Sequence, residues 1–204
     1  MHIGVIGAGQ LGSTLAGWCA QSGHDVAVSS RHPERLADVV DHLLGHGQAL
    51  PVAQTAEFAD VVVFSPNWES AYEAIDLAGT TLDGKIVIDA TNPTGQQLGG
   101  VSGFEQLVQL APKAHWAKAF NTLPAATLER RRGHDPLLAE FLCSDHQDAR
   151  RAATVLIRDM GFAPFYAGGA EAARLTEPGG PLQQNEVDVF HAQDVLADAL
   201  TVLR

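Results

Sequence analysis

The chain begins with Met1-His-Ile-Gly-Val-Ile-Gly-Ala-Gly-Gln-Leu-Gly12. The first six residues predict a short buried strand, which turns through three glycines into an amphipathic helix. Gly7 permits a tight turn, Gly9 lets the backbone approach a pyrophosphate, and Gly12 lets the helix pack closely on the strand. The N-terminus of that helix would offer free N–H groups and a positive dipole end to the anion. This context predicts dinucleotide binding.

Length and composition set the scale of the fold. With 204 residues, 46% of them hydrophobic, the sequence predicts a single domain over 1–204, including a short C-terminal extension from about 136 to 204. No apolar run approaches the ~18 residues of a membrane span, and the N-terminus lacks the features of a signal peptide. We therefore expect a soluble, cytoplasmic protein with no membrane partner.

Charge and potential metal ligands exclude several functions. A net charge of -11 argues against a nucleic-acid or anionic-membrane surface. Cys19 and Cys143 both lie in apolar stretches, which predicts reduced core thiols. His42 and His46 have the spacing of helical metal ligands, but Gly45 separates them and no third ligand is nearby. The sequence predicts no metal site.

The end of the second strand indicates which dinucleotide is bound. Asp25 to Arg31 reads as this strand, and an NAD-specific site would present a carboxylate near its end. Here the end offers Ser29, Ser30 and Arg31, with no carboxylate before Glu34. Because a guanidinium binds phosphate bidentately and a carboxylate would repel it, this pattern predicts NADP(H). Arg35 could reach the same phosphate from a helix that begins at Pro33 and turns Leu36, Val39, Val40, Leu43 and Leu44 inward.

Three later strands end in small or polar residues and proline. These ends are Ser65-Pro66, Thr91-Asn92-Pro93 and Phe120-Asn121-Thr122. Because the carboxyl ends of parallel strands meet at one edge, they should line the crevice that holds the nicotinamide. The fold class predicted is α/β, a Rossmann-type doubly wound, mostly parallel sheet with a short C-terminal α/β extension.

Three other segments carry predictions. Gln48 to Ala53 reads as another strand of the sheet, and Val187 to Leu203 reads as a helix. The broad apolar face of that helix, which includes Phe190, packs on its own core or on a second subunit, and we expect a homodimer. The glycine-rich segment 94–103 is either a mobile loop over the site or an ordinary surface loop.

At this point the residues resemble a known family. The glycine turn, Ser-Ser-Arg31 before Arg35, Ser65-Pro66 and above all Ala117-Lys-Ala-Phe-Asn-Thr-Leu-Pro-Ala-Ala126 are similar to the NADP oxidoreductases dependent on coenzyme F-420. That family transfers hydride between NADPH and a deazaflavin, and the cytosolic reductase domain of membrane ferric reductases is its flavin-using relative. The resemblance implies a small-molecule redox acceptor, either coenzyme F-420 or a flavin.

The resemblance also implies roles for individual residues. The pyrophosphate would lie against Gly7, Gly9, Gln10, Leu11 and Gly12. The 2′-phosphate would be bound by Ser30, Arg31 and Arg35. The nicotinamide and the facing acceptor ring would be framed by Ser65, Pro66, Asn92, Ala119, Phe120 and Asn121. Hydride transfer between two stacked rings depends on proximity and orientation, so no acid or base catalyst is expected.

Two alternative functions stay open. An NADPH-dependent reductase of another small molecule, such as a ketone or imine, would need a proton donor in the crevice, and only His115 and Lys118 are candidates. Both precede the carboxyl end of their strand. A non-catalytic redox sensor would bind NADP(H) without turning it over.

Overall fold

The computed structural model describes residues 1–94 and 100–203, in which eight strands form one sheet. The strands are β1 (His2–Ile6), β2 (Asp25–Ser29), β3 (Gly47–Ala49), β4 (Val61–Phe64), β5 (Ile86–Asp89), β6 (His115–Lys118), β7 (Ala139–Cys143) and β8 (Ala163–Gly168).

Helices connect most of these strands and flank the sheet. The α-helices of the described residues are α1 (Gln10–Gln21), α2 (Ala37–Asp41), α3 (Val52–Phe58), α4 (Ala71–Ala78), α5 (Gly103–Leu110), α6 (Ala125–Arg131), α7 (Gln147–Asp159), α8 (Ala173–Thr176) and α9 (Ala192–Leu200). Short 3-10 turns occur at Pro33–Arg35, Trp68–Ser70, Gly79–Leu82, Ala170–Ala172 and Thr201–Leu203.

The strand order is β3-β2-β1-β4-β5-β6-β7-β8. Strands β1 to β6 are parallel, whereas β7 pairs antiparallel with β6 and parallel with β8. From β1 the chain adds β2 and β3 on one side, and it adds β4 and the later strands on the other side. The order therefore reverses between β1 and β4, and doubly wound sheets bind ligands at such a point. The predicted Rossmann-type, mostly parallel α/β fold is confirmed, and β7, β8 and their helices form its C-terminal α/β extension.

Two apolar layers cover the sheet. One packs Leu15 of α1 and Leu156 of α7 against strand residues such as Val5. The other packs Ile75 of α4 and Leu107 of α5 on the opposite face. Both thiols are free and buried, as the sequence predicts. The central strands are therefore apolar on both faces, which explains why they read as continuous apolar runs.

The prediction of a strand from Gln48 to Ala53 is correct only for its first residues. Strand β3 ends at Ala49, and α3 begins at Val52 with Pro51 as its N-cap. Because proline has a fixed φ and no N–H, it suits a helix start and ends the strand ladder. Helix α3 then buries Val52, Thr55 and Ala56.

Two predicted helices are shorter than expected. After a 3-10 turn at Pro33–Arg35, α2 covers only Ala37–Asp41, and Leu44 has φ +54° and is 65% exposed instead of turning inward. Near the C-terminus, backbone bonds link Val187 O to Ala139 N and Val189 N to Leu137 O, so this segment is extended. Helix α9 begins only at Ala192, which leaves Phe190 74% exposed.

None of the helices within 1–94 and 100–203 is both long enough and apolar enough to cross a bilayer.

The predicted loop at 94–103 is only partly covered, since 95–99 lie outside the described residues. Its last residues form the start of α5, where Ser102 and Glu105 make a capping box.

Candidate functional site

The glycine turn between β1 and α1 leaves an open space at the carboxyl edge of the sheet. Gly7 has φ +97°, and a Cβ there would lie 2.4 Å from the backbone nitrogen of Pro66. A Cβ on Gly12 would lie 2.0 Å from the Gly7 carbonyl oxygen, whereas one on Gly9 would meet nothing within 4 Å. Gly7 and Gly12 are therefore required by protein packing, and Gly9 faces free space that a ligand can occupy.

The N-terminus of α1 faces this space. Gly9 is its N-cap, and no side chain in the described part of the chain caps the helix. The Ser65 hydroxyl, at the end of β4, donates to the Gly7 carbonyl oxygen at 2.7 Å and ties the turn to the neighbouring strand. Helix N–H groups with a positive dipole end are suited to a pyrophosphate. A dinucleotide thus fits the turn.

Two cavities meet at Gly9, Ser65 and Pro66. The smaller one, of about 180 Å³, also contacts Ser30 and Arg31 at the end of β2. Arg31 is exposed, and the Ser30 hydroxyl accepts a bond from His32 N–H at 3.0 Å. This cavity therefore has the hydroxyl and guanidinium expected for a 2′-phosphate.

Two residues that were expected near the 2′-phosphate, Ser29 and Arg35, do not line the smaller cavity. Ser29 is fully buried, and its hydroxyl points back to the Val5 carbonyl oxygen at 3.4 Å. This happens because Ser29 is still part of β2, in register with Ile6. Arg35 is exposed at the end of the 3-10 turn but does not line either cavity. Of the residues expected around the 2′-phosphate, Ser30 and Arg31 are thus the two that line the smaller cavity.

The larger cavity, of about 490 Å³, lies at the ends of β4, β5 and β6. The predicted nicotinamide and acceptor residues Ser65, Pro66, Asn92, Phe120 and Asn121 all line it, as do Gln10 and Leu11. Ala119 does not, because it is completely buried behind this surface. The volume falls in the range of small-molecule sites, about 300 to 1,000 Å³.

An amide cluster fixes one wall of this larger cavity. The Asn92 side-chain amide donates to the Asn121 carbonyl at 2.7 Å, and that of Asn121 donates to Asn92 Oδ1 at 2.9 Å and to the Thr176 carbonyl at 2.8 Å. These bonds join the ends of β5 and β6 to α8. The wall is therefore held by two side chains and a backbone carbonyl from three elements that are far apart in sequence.

Phe120 contributes backbone to the cavity and its side chain to the core. It has φ +63°, which directs its fully buried ring into the apolar layer under α1 and α7. Its N–H donates to Glu140 Oε2 at 3.2 Å, and the Thr122 hydroxyl lies 3.5 Å from Glu140 Oε1. Burial raises the pKa of Glu140 to about 8. A neutral carboxyl group therefore supports the strained turn at neutral pH.

A buried ion pair stabilises the loop after β5. Lys118 Nζ lies 2.7 Å from Asp89 Oδ2, 2.9 Å from the Thr91 carbonyl and 3.4 Å from Glu177 Oε1, with all three charged side chains at most 1% exposed. Glu177 also accepts bonds from the first N–H groups of α5, at Gly103 and Phe104. Lys118 is thus a structural cation and does not reach the cleft.

The cleft offers little for acid–base catalysis. Glu69 is the one ionisable side chain among the described residues lining the larger cavity. The Thr94 hydroxyl donates to it at 2.7 Å and lowers its pKa below the usual range. His115, the other candidate proton donor, lies at the amino end of β6. The site can position reactants, but its ionisable group is a carboxylate.

His115 also belongs to a cluster with His146 and Asp148 at the opposite edge of the sheet. The two imidazole rings are stacked, with centroids 4.5 Å apart and planes 9° from parallel. His115 Nδ1 is already bonded to Asp148 at 2.5 Å. Because the ring planes are parallel, their nitrogen lone pairs do not converge on one point.

Several lining residues were not anticipated from the sequence. Trp68 and Glu69 come from the 3-10 turn after β4, and Gln183 and Gln184 come from the segment after α8. Pro66, just after the end of β4, is a weak sequence signal that Trp68 and Glu69 lie in a turn near the cleft. The glutamines lie in a segment without periodicity, and no local pattern brings them to the cleft.

Comparison with known proteins identifies relatives of this chain. Residues 2–93 match the family described as NADP oxidoreductase coenzyme F420-dependent. The F420-dependent NADP reductase of Methanothermobacter marburgensis is 29% identical, over 91% of this chain and 92% of its own length. Metalloreductase STEAP3 of Rattus norvegicus is 31% identical over 86% of this chain, which spans only 35% of that protein's length.

A solved structure agrees over nearly the whole chain. The hypothetical protein SMa0349 of Sinorhizobium meliloti has a TM-score of 0.81 and 30% identity, covering 92% of this chain and 95% of its own. The similarity therefore includes the C-terminal extension as well as the dinucleotide-binding strands. Residues 2–93 of this chain thus match the family of NADP oxidoreductases described as coenzyme F420-dependent, and a reductase with that description is similar over nearly the whole chain.

Proposed function

We propose that this protein transfers hydride between NADPH and a planar deazaflavin (coenzyme F-420) or flavin acceptor. The observation that carries the proposal is the pair of cavities that meet at Gly9, Ser65 and Pro66. The smaller one suits the adenosine 2′-phosphate end of NADPH. The larger one leaves room for the nicotinamide and a second ring beyond it.

Each wall has a task in this reaction. The turn around Gly9 and the N-terminus of α1 would bind the pyrophosphate, and Ser30 with Arg31 would select the 2′-phosphate. Ser65-Pro66 and the Asn92–Asn121 cluster would orient the rings and exclude water. The nicotinamide supplies the hydride, two electrons with one proton, and the reduced acceptor takes a further proton from solvent. No side chain is required as a proton donor, which agrees with the ionised state of Glu69.

The two alternatives are less well supported. A redox sensor needs only the dinucleotide site, and the remaining volume of the larger cavity would have no purpose. A ketone or imine reductase needs a proton donor in the cleft, where Lys118 is absent because it is buried in an ion pair. The homodimer and the cytoplasmic location stay predictions.

A steady-state assay tests the proposed function. Purified protein is mixed with NADPH and either 8-hydroxy-5-deazariboflavin or riboflavin, and NADPH oxidation is followed by absorbance. We expect turnover with at least one of these rings and a preference for NADPH over NADH. Tight NADPH binding without turnover of either ring would favour the redox sensor.

A further inference from the structure

The segment after α8 brings Gln183 into the wall of the larger cavity. Leu182 is fully buried, and its N–H donates to the Leu175 carbonyl at 2.9 Å. Gln184, with φ +58°, donates its N–H to the Thr122 carbonyl at 2.8 Å. The backbone on both sides of Gln183 is thus anchored, one side to α8 and the other to the loop after β6.

The Gln183 side chain has unused hydrogen-bonding capacity. Its Nε2 donates only a long bond, 3.3 Å, to the Asn121 carbonyl. Its Oε1 is buried and has no partner among the residues described, and Asn121 Oδ1 is the other such oxygen in the same wall. Because unpaired buried acceptors are rare and costly, their position beside a cavity indicates a donor on a ligand.

The two amides differ in their freedom to move. The Asn121 amide nitrogen donates to both Asn92 and Thr176, and the residue is 3% exposed, so its orientation is fixed. Gln183 is partly exposed, is held by one long bond and has three rotatable side-chain bonds. A rotation of its terminal amide therefore presents both Oε1 and Nε2 to the cavity.

We propose that Gln183 recognises the imide edge of the acceptor ring, with Oε1 accepting from the ring N3–H and Nε2 donating to the adjacent carbonyl. This inference rests on the proposed function and adds the residue that selects the acceptor. Deazaflavins and flavins share an N–H between two carbonyls, and an amide side chain offers one acceptor and two donors to match it. A ring that lacks the N–H would leave Oε1 unpaired.

The test compares the better of the two acceptors from the steady-state assay with its N3-methyl derivative. We expect wild-type kcat/KM to be about tenfold lower for the methylated ring, the effect of one lost hydrogen bond. In Gln183→Leu, kcat/KM for the unmethylated ring should fall about tenfold, and the discrimination between the two rings should disappear. The affinity for NADPH should not change.

Three controls separate this role from a structural one. Gln193→Leu makes the same change on the exposed surface of α9, outside the cavity, and should retain full discrimination. Gln183→Glu keeps an acceptor oxygen, so part of the discrimination should remain even if the leucine variant fails to fold. Equal wild-type kcat/KM for the two rings, or undiminished discrimination in Gln183→Leu, overturns the inference while leaving the proposed function intact. If the protein reduces neither the unmethylated deazaflavin nor the unmethylated flavin, both this inference and the proposed function are contradicted.

Discussion

The two sides of the cleft are built by different means. The dinucleotide side is a turn of backbone from Gly7 to Gly12, in which missing side chains create the shape. The side proposed for the acceptor, here called the acceptor side, is the loop from Phe120 to Thr122, which is held by the side chains of Glu140 and Asn92 and by the Thr176 carbonyl. The first depends on local sequence, and the second depends on contacts between distant segments. Substitutions on the two sides should therefore fail in different ways.

The largest effect is expected for Gly12→Val on the dinucleotide side. Its Cβ would overlap the Gly7 carbonyl oxygen and the Ser65 hydroxyl, so unfolding free energy should fall by more than about 4 kcal/mol. Chemical denaturation measures this loss. Gly9→Val is the matched control, since its Cβ meets open space, and it should remain folded yet lose NADPH binding. Retained binding in Gly9→Val would show that the pyrophosphate does not approach there.

On the acceptor side, Lys118→Met should come next in size. It leaves the Asp89 and Glu177 carboxylates buried without the ammonium, and removing one partner of a buried ion pair costs about 3 to 5 kcal/mol. Lys113→Met removes a lysine that is 73% exposed and paired with Asp83, so its stability should be nearly unchanged. Similar unfolding midpoints for the two variants would contradict a structural role for the buried pair.

Glu140→Gln tests the acceptor side through the pH dependence of the free energy of unfolding. The Glu140 pKa is raised from 4.5 to about 8 in the folded protein, so the folded state holds its proton where the unfolded state has lost it. The contribution of Glu140 to the wild-type free energy of unfolding is fully present below pH 4.5. It is lost as the pH rises to about 8, by up to a few kcal/mol. The glutamine variant should show a flatter dependence over that range. Parallel stability curves would mean that Glu140 is not buried as a neutral acid.

The smallest of these effects should follow Arg31→Ala, which leaves the fold intact because the residue is exposed. Loss of a charged hydrogen bond to the 2′-phosphate should weaken NADPH binding by about 2 kcal/mol, or more than tenfold. NADH affinity should hardly change, since NADH has no such phosphate. Titration of both cofactors checks this, and equal losses would remove Arg31 from the phosphate site.

The parts of the site that the sequence predicts best are those whose chemistry is local. The turn at Gly7, Gly9 and Gly12 and the strand ends at Ser65-Pro66 and Asn92 were predictable, because their spacing and their place after apolar runs carry the signal. Ser29 was misassigned, since the sequence does not show at which residue β2 stops being buried. That boundary decides whether a hydroxyl faces the sheet or the ligand.

Other features depend on contacts that no local pattern encodes. The sequence places Glu140 as one acid inside the apolar run of β7, but only the fold shows that it meets the Phe120 N–H. Gln183 reaches the cleft because Leu182 and Gln184 bond to separate elements. Leu44 was expected in the core, but α2 already ends at Asp41, and Leu44 is exposed with φ +54°. In each case tertiary structure overrides propensity.

The most direct test of the account is the fate of the hydrogen that leaves NADPH. NADPH carrying deuterium stereospecifically at the nicotinamide C4 is oxidised by the protein with 8-hydroxy-5-deazariboflavin, and the reduced ring is analysed by mass spectrometry. Direct transfer between stacked rings predicts that one of the two labelled forms places its deuterium on C5 of the acceptor, where the carbon–deuterium bond does not exchange. Deuterium released to the solvent, or retained in the NADP⁺ formed from both labelled forms, would contradict it.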